Sequence, residues 1–203
     1  MVATEGASEF VSLPEILKGV RIEGLRPVVQ VIRVPCQPDG AARLIARAAE
    51  PSLKIAIAKR CDAYVLVLDR EQRTERAGAI AATIKSEVER LGRWPFDVFV
   101  VMKDRAFENW LVADLNALRS QRARFTVTSA MARRVEPDKA DRAPAIEMLE
   151  AASNGKSYDK KGDGLNIARR MDVEAAARHS RSFRHLLHVL QHDSYAAQCK
   201  QPV

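Results

Sequence analysis

The segment Ala63–Leu68, Ala-Tyr-Val-Leu-Val-Leu, is apolar at every position and stops at Asp69. A strand that is apolar at odd and even positions alike buries both faces, which puts it in the middle of a parallel sheet covered by helices on each side. Its surroundings repeat the theme. Met1–Thr4 is a short apolar stub, residues 27–34 (Pro-Val-Val-Gln-Val-Ile-Arg-Val) form a β-branched run closed by Pro35, and Asp97–Met102 is a further strand-like run. Between these runs lie helical periodicities. Phe10, Leu13, Ile16 and Leu17 precede Gly19; Leu44, Ile45, Ala48 and Ala49 mark a helix over 41–59 with a break at Pro51. Ile80, Ile84, Val88 and Leu91 share a helix face over 77–91, and residues 107–118 predict another helix. The alternation predicts an α/β fold: a Rossmann-like, doubly wound, four-stranded parallel sheet with helices on both faces and right-handed crossovers.

After residue 118 the strand-helix alternation ends. Helical spacing returns at 144–152, 165–171 and 183–191, so the expected organisation is an α/β core over 1–118 and a basic helical extension over 119–203 packed on it. The net charge of +7 is concentrated there: residues 1–118 hold 17 Lys+Arg and 16 Asp+Glu, residues 119–203 hold 16 and 10. A surface of that sign attracts polyanions such as nucleic acid. Aromatic residues make up only 5% of the chain, which argues against a stacking platform for single strands. No apolar run approaches the ~20 residues of a membrane span, and the N-terminus lacks the basic and apolar regions of a signal peptide. Cys36, Cys61 and Cys199 are odd in number and far apart, which speaks against a disulfide framework and suits a cytoplasmic protein.

In open α/β sheets ligands lie beyond the carboxyl ends of the strands. Acids mark those ends here. Glu5 follows the first strand with Glu9 one helical turn on; Asp69-Arg70-Glu71 follows the third; Lys103-Asp104 follows the fourth, and its helix carries Glu108 and Asp114. A strand order 2-1-3-4 would bring Glu5, Glu9, Asp69 and Glu71 together. Crowded carboxylates need compensation, and hard oxygen ligands favour Mg²⁺ or Mn²⁺. Single strand-end acids also serve as helix caps; the pairing of Glu-Gly-x-x-Glu with Asp-x-Glu is what points to a metal. Trp110 is expected in the core. His185, His188 and His192 share one face of the last helix beside Arg181 and Arg184, and read as a polar helix face rather than a zinc site. No phosphate-binding loop or nucleophile elbow is present in the sequence.

These motifs resemble the toprim domain, in which a Glu after the first strand and an Asp-x-Asp after the third bind Mg²⁺. Glu5-Gly-Ala-Ser-Glu9 is similar to the Glu-Gly-x-x-Glu of the overcoming-lysogenisation-defect (OLD) nuclease branch, with Asp69-Arg70-Glu71 in the place of Asp-x-Asp. The run Glu108-Asn-Trp110-Leu-Val-Ala-Asp114 is similar to the Glu-x-Trp-Leu-x-Ala-Asp signature of a bacterial toprim-like family of unknown function, often encoded beside an AAA-type ATPase. Tyr158-Asp-Lys-Lys161 and Ser180-Arg-Ser-Phe183 extend that resemblance over nearly the whole chain. Two features depart from the toprim pattern: Glu71 replaces an Asp, and only four residues precede Glu5.

The resemblance implies a Mg²⁺-dependent nuclease acting on DNA or RNA, a subunit of an ATPase-coupled bacterial defence system. Glu5, Glu9, Asp69 and Glu71 would hold the metal, with Glu5, Glu9, Asp69 and Lys161 acting in catalysis. Glu108 and Lys160 are additional candidates, and a homo-oligomer is possible within this reading. Two other readings stand beside it: a non-catalytic metal-binding regulator of an ATPase, and a metal-dependent hydrolase of a small phosphate ester.

Overall fold

The computed structural model describes residues 1–202. Four parallel strands, β1 (Val2–Thr4), β2 (Val31–Arg33), β3 (Ala63–Asp69) and β4 (Asp97–Lys103), form one sheet in the order β2-β1-β3-β4. The helices connecting them are α1 (Ala7–Leu17), α2 (Ala42–Ala58) and α3 (Ala77–Arg90). Beyond β4 come α4 (Glu108–Ala113), α5 (Leu115–Arg119), α6 (Ser129–Val135), a 3₁₀ turn at Ala140–Arg142, α7 (Ala145–Ala152), α8 (Gly162–Ala168), α9 (Val173–His179) and α10 (Arg181–Val189). This is the expected α/β architecture, with the strand order that gathers the acids.

The strand period of two explains why both faces are covered. On β3, Tyr64, Leu66 and Leu68 pack with Ala3, Val98, Val100 and Met102 against Ile45, Ala49 and Leu53 of α2 and Ile80, Ile84 and Val88 of α3. Val65 and Val67 point the other way, joining Val2, Val101 and the apolar sides of α1 and α4. Residues beyond 118 share this second cluster: Phe125, Met131, Leu149, Ile167, Ala176 and Phe183 pack in it around Trp110, which is fully buried.

Several elements differ from the sequence expectation. The run 27–34 contributes only Val31–Arg33, because β1 offers three residues to pair with; Val28 is 94% exposed. Helix α2 continues through Pro51, an exposed position. The single helix expected over 107–118 is two. Asp114 leaves helical geometry (φ −110°, ψ 88°), and its Oδ1 accepts from Asn116 N at 3.0 Å, capping α5. Short polar side chains of this kind compete with the helix ladder for backbone donors. Its other oxygen accepts from Asp172 N at 2.8 Å, tying α5 to the start of α9. Asp114 is thus a double cap. Helix α6 lies in a basic stretch with no clear helical period, and the sequence gives no expectation of it.

Candidate functional site

Parity along the strands decides which side chains meet at the carboxyl edge of the sheet. Thr4 is in register with Val67, and Asp69 is in register with Lys103. Thr4, Asp69 and Lys103 therefore share the parity of Val2, Val67 and Val101, and face the layer of α1 and α4. Helix α1 begins immediately after β1 and brings Glu9 over the same spot. Among the described residues, one group of His, Cys, Asp and Glu side chains sets its ligand atoms within 4.8 Å of one another: Glu5, Glu9 and Asp69.

Glu5 and Glu9 are held by backbone or hydroxyl donors, Asp69 by Lys103 alone. Asp69 N donates to Glu5 Oε1 at 3.0 Å, fixing Glu5 across the gap between β1 and β3. The Thr4 hydroxyl donates to Glu9 Oε2. Gly6 N also reaches Glu9 Oε2, at 3.4 Å, the returning half of a capping box at the third helical position. Gly6 is extended (φ −80°), so its glycine is not required by the turn. It is required by space: a Cβ at Gly6 would lie 3.0 Å from Glu9 Cδ and Oε1, so any side chain there pushes the carboxylate away. That close approach is the physical content of the Glu-Gly-x-x-Glu spacing.

The residue the sequence reading missed is Lys103. It is fully buried and its ammonium sits among all three acids, bonded to Glu9 Oε1, 3.0 Å from Asp69 Oδ1 and 3.5 Å from Glu5 Oε1. The Phe107 ring lies under it, 5.9 Å from Nζ to centroid. Burial alone would favour the neutral amine, but the charges of Glu9, Asp69 and Glu5 outweigh it and hold the ammonium pKa above its ordinary value. Burial also raises the Glu5 carboxyl, opposed by Lys103 and reinforced by Glu9. Asp69 is pushed up to about 8, chiefly by burial, with Lys103 lowering it and the other two acids raising it. In the sequence Lys103 merely follows the apolar run Val98–Met102, and it is the pairing opposite Asp69 that sets it apart.

The cluster is short of donors. Glu5 Oε2 is buried without a hydrogen-bond partner, and Asp69 Oδ1 has its ion pair to Lys103 but no hydrogen bond. Three carboxylates and one ammonium leave a formal charge of −2, which one divalent cation would match. The donor set is hard oxygen. Cys36 nearby has its thiol pushed up to about 11 by burial and by Glu5 and Glu9, so it offers no thiolate at neutral pH. The residues present fit Mg²⁺ or Mn²⁺, with Glu5 Oε2 unpartnered and Asp69 Oδ1 held only by Lys103.

The other predicted residues lie elsewhere. Glu71 is exposed in a left-handed conformation (φ 55°), with its N–H bonded to Arg105 O at 3.0 Å, and it stands outside the three-carboxylate group. Lys161 is exposed, and its N–H donates to Asp159 Oδ1 at 3.0 Å. Lys160 Nζ pairs with buried Glu108 Oε1 at 3.8 Å. Trp110 donates from Nε1 to Ser182 Oγ at 2.8 Å. On α10, His188 Nδ1 lies 2.9 Å from Tyr195 O and His185 Nδ1 lies 3.4 Å from Cys199 Sγ, while His192 lies beyond the helix end at Val189 and is buried, so the three do not share one helix face. Next to the cluster in sequence, Arg70–Arg73 and Arg105 line an open groove of about 540 Å³ whose far wall is Ala143–Glu147.

Comparison with known proteins adds a family. A family model described as Domain of unknown function (DUF4276) matches residues 4–191, a span that includes every residue of the carboxylate–lysine cluster. Searches of curated proteins and of solved structures find no match to the chain. With the match running from β1 to the end of α10, the chain belongs to the family described as Domain of unknown function (DUF4276).

Proposed function

We propose that the chain is a metal-dependent phosphodiesterase acting on nucleic acid, with Glu5, Glu9 and Asp69 forming the centre that holds Mg²⁺ or Mn²⁺. One observation carries this reading: three carboxylates meet at the carboxyl edge of a parallel sheet, with Glu5 Oε2 buried and unpartnered and Asp69 Oδ1 held only by its ion pair to Lys103. Fully structural acids are not left so. A divalent cation held by Glu5 and Asp69 would supply Lewis acidity toward phosphate oxygens and lower the pKa of a water, the chemistry that phosphodiester hydrolysis to an alcohol and a phosphomonoester needs. The chain's own part is positional. Asp69 N holds Glu5, Thr4 and Gly6 hold Glu9, and Lys103 offsets the charge of all three.

The open groove suits a polymer better than a small phosphate ester, which calls for an enclosing pocket. Arg73 and Arg105 supply cations along it, Arg70 being paired with Asp104 at 2.5 Å and Glu71 and Glu147 also lining the groove, and the basic excess of residues 119–203 extends the attraction. The relation to toprim and OLD nucleases and coupling to an AAA-type ATPase in phage defence belong to the same proposal through the resemblance of the motifs, and a cytoplasmic location belongs to it through the odd, scattered cysteines.

Purified protein incubated with supercoiled plasmid and with RNA, in Mg²⁺ or Mn²⁺, tests it. Cleavage that requires the metal and disappears in Glu5→Gln and Asp69→Asn is the expected result. A second reading is favoured by Lys103, which already neutralises part of the cluster: a non-catalytic partner of the ATPase. Absence of cleavage with either metal, even with the neighbouring ATPase and ATP added, would establish that reading instead.

A further inference from the structure

We propose that Lys103 restricts the carboxylate centre to a single divalent cation, its ammonium taking the place that a second cation would need. The inference rests on the metal-centre reading above and specifies how many ions that centre admits. Position is the first argument. Nζ contacts one oxygen from each of Glu5, Glu9 and Asp69, the location from which a cation could be shared by all three. The side chain is fully buried over Phe107 and is fixed by β4 pairing in register with β3, so it is a built part of the site and not a surface lysine folded inward.

Oxygen allocation is the second argument. Both oxygens of Glu9 are engaged: Oε1 with Lys103, Oε2 with Thr4 Oγ1 and Gly6 N. Glu9 therefore acts as a positioning residue that anchors Lys103. Glu5 Oε2 is left without a partner, Asp69 Oδ1 has only its 3.0 Å ion pair to Lys103, and the Glu5 side chain is only 8% exposed. One open carboxylate oxygen beside a second that Lys103 only partly satisfies makes a set for one ion. Charge is the third argument. With Lys103 in place the cluster carries −2, so one divalent cation brings it to zero, and a second would leave +2 buried in a low-dielectric site. Removal of the ammonium leaves −3 and opens both the space and the charge for another ion.

The test is a count of bound Mn²⁺ on the full chain, by titration calorimetry and by the electron paramagnetic resonance spectrum. Wild type is expected to bind one ion with the spectrum of an isolated Mn²⁺. Lys103→Met is expected to bind a first ion about ten-fold more tightly or better, and to take a second that couples magnetically to the first. Lys103→Arg, which keeps the charge, should bind one. Two coupled ions in wild type would overturn the inference, a result independent of whether Lys103→Met folds, and would leave the phosphodiesterase reading standing if cleavage persists. An unchanged count and affinity in folded Lys103→Met would overturn it as well. One bound ion without cleavage would instead remove the phosphodiesterase reading and keep the single-ion centre. No bound ion in wild type would remove both.

Discussion

Two buried acidic sites lie on the same side of the sheet and are furnished in opposite ways. Asp141, in the 3₁₀ turn before α7, accepts from Ser180 Oγ at 2.6 Å, from Ser182 N at 2.8 Å and from Ser182 Oγ at 2.8 Å. The Trp110 indole closes the network on Ser182. Burial raises the Asp141 carboxyl pKa while the serine hydrogen bonds pull it down, and neither of its oxygens is left without a partner. The cluster of Glu5, Glu9 and Asp69 instead has three acids, one ammonium and two oxygens short of a hydrogen bond. A buried acid supplied with all its donors is a joint between elements. Acids that are crowded and under-supplied are costly to fold, and the missing partner is best explained as a ligand.

The largest expected contrast separates chemistry from stability. Asp69→Asn should reduce metal-dependent cleavage by at least about 100-fold, while melting in EDTA no lower than wild type, because it keeps the neutral side chain that burial and the neighbouring acids favour at this position. Loss of stability together with unchanged cleavage per folded molecule would place Asp69 with Asp141 as a joint. Asp141→Ala should do the reverse. It leaves the Ser180 hydroxyl and the Ser182 hydroxyl and N–H short of an acceptor, and is expected to cost about 3 kcal/mol in urea unfolding with cleavage per folded molecule preserved.

The same contrast governs pH. In EDTA the folded protein holds a proton on Asp69 up to about pH 8, whereas the unfolded chain releases it near pH 4. The folded state binds more protons between those values, so stability falls as pH rises through that window, by up to about 1.4 kcal/mol per pH unit from this group. Unfolding free energies measured at pH 5.5 and 7.5 should therefore drop in wild type. The drop should shrink in Asp69→Asn and in saturating Mg²⁺, which keeps the carboxylate ionised in the folded state. A profile that is flat in wild type would contradict the crowding described here.

Much of this contrast is legible in the amino-acid sequence. The β3 run announces a central parallel strand, and the acids at the ends of β1 and β3 announce where to look. What eludes the sequence depends on register and local competition. Lys103 is one of 33 Lys+Arg, and only its pairing opposite Asp69 distinguishes it. Glu71 follows Asp69 by two residues, yet the backbone turns into the left-handed region there and leaves it exposed in the groove wall. Asp114 and Trp110, close together in a run that resembles a family signature, serve a helix cap and the Asp141 joint. In the run Glu108–Asp114, signature residues and site residues are different sets.

A smaller effect sharpens the role of Gly6. Gly6→Ala places a methyl 3.0 Å from the Glu9 carboxylate, and should lower cleavage several-fold through displacement of Glu9. Its cost in stability should stay below about 1 kcal/mol, the range of a helix N-cap change. Cleavage equal to wild type would show that Glu9 need not fold back over the helix start.

The central claim is that the carboxylate cluster binds a divalent cation in the folded protein. The most direct measurement is the melting temperature of wild type, Glu5→Gln and Asp69→Asn across a Mg²⁺ and Mn²⁺ titration. Binding to the folded state alone raises stability with ligand concentration, by about 2.7 kcal/mol at a hundred times the dissociation constant. The account predicts a saturable rise in wild type that both variants lose. Equal rises in all three, or none in wild type at pH 8, would contradict it.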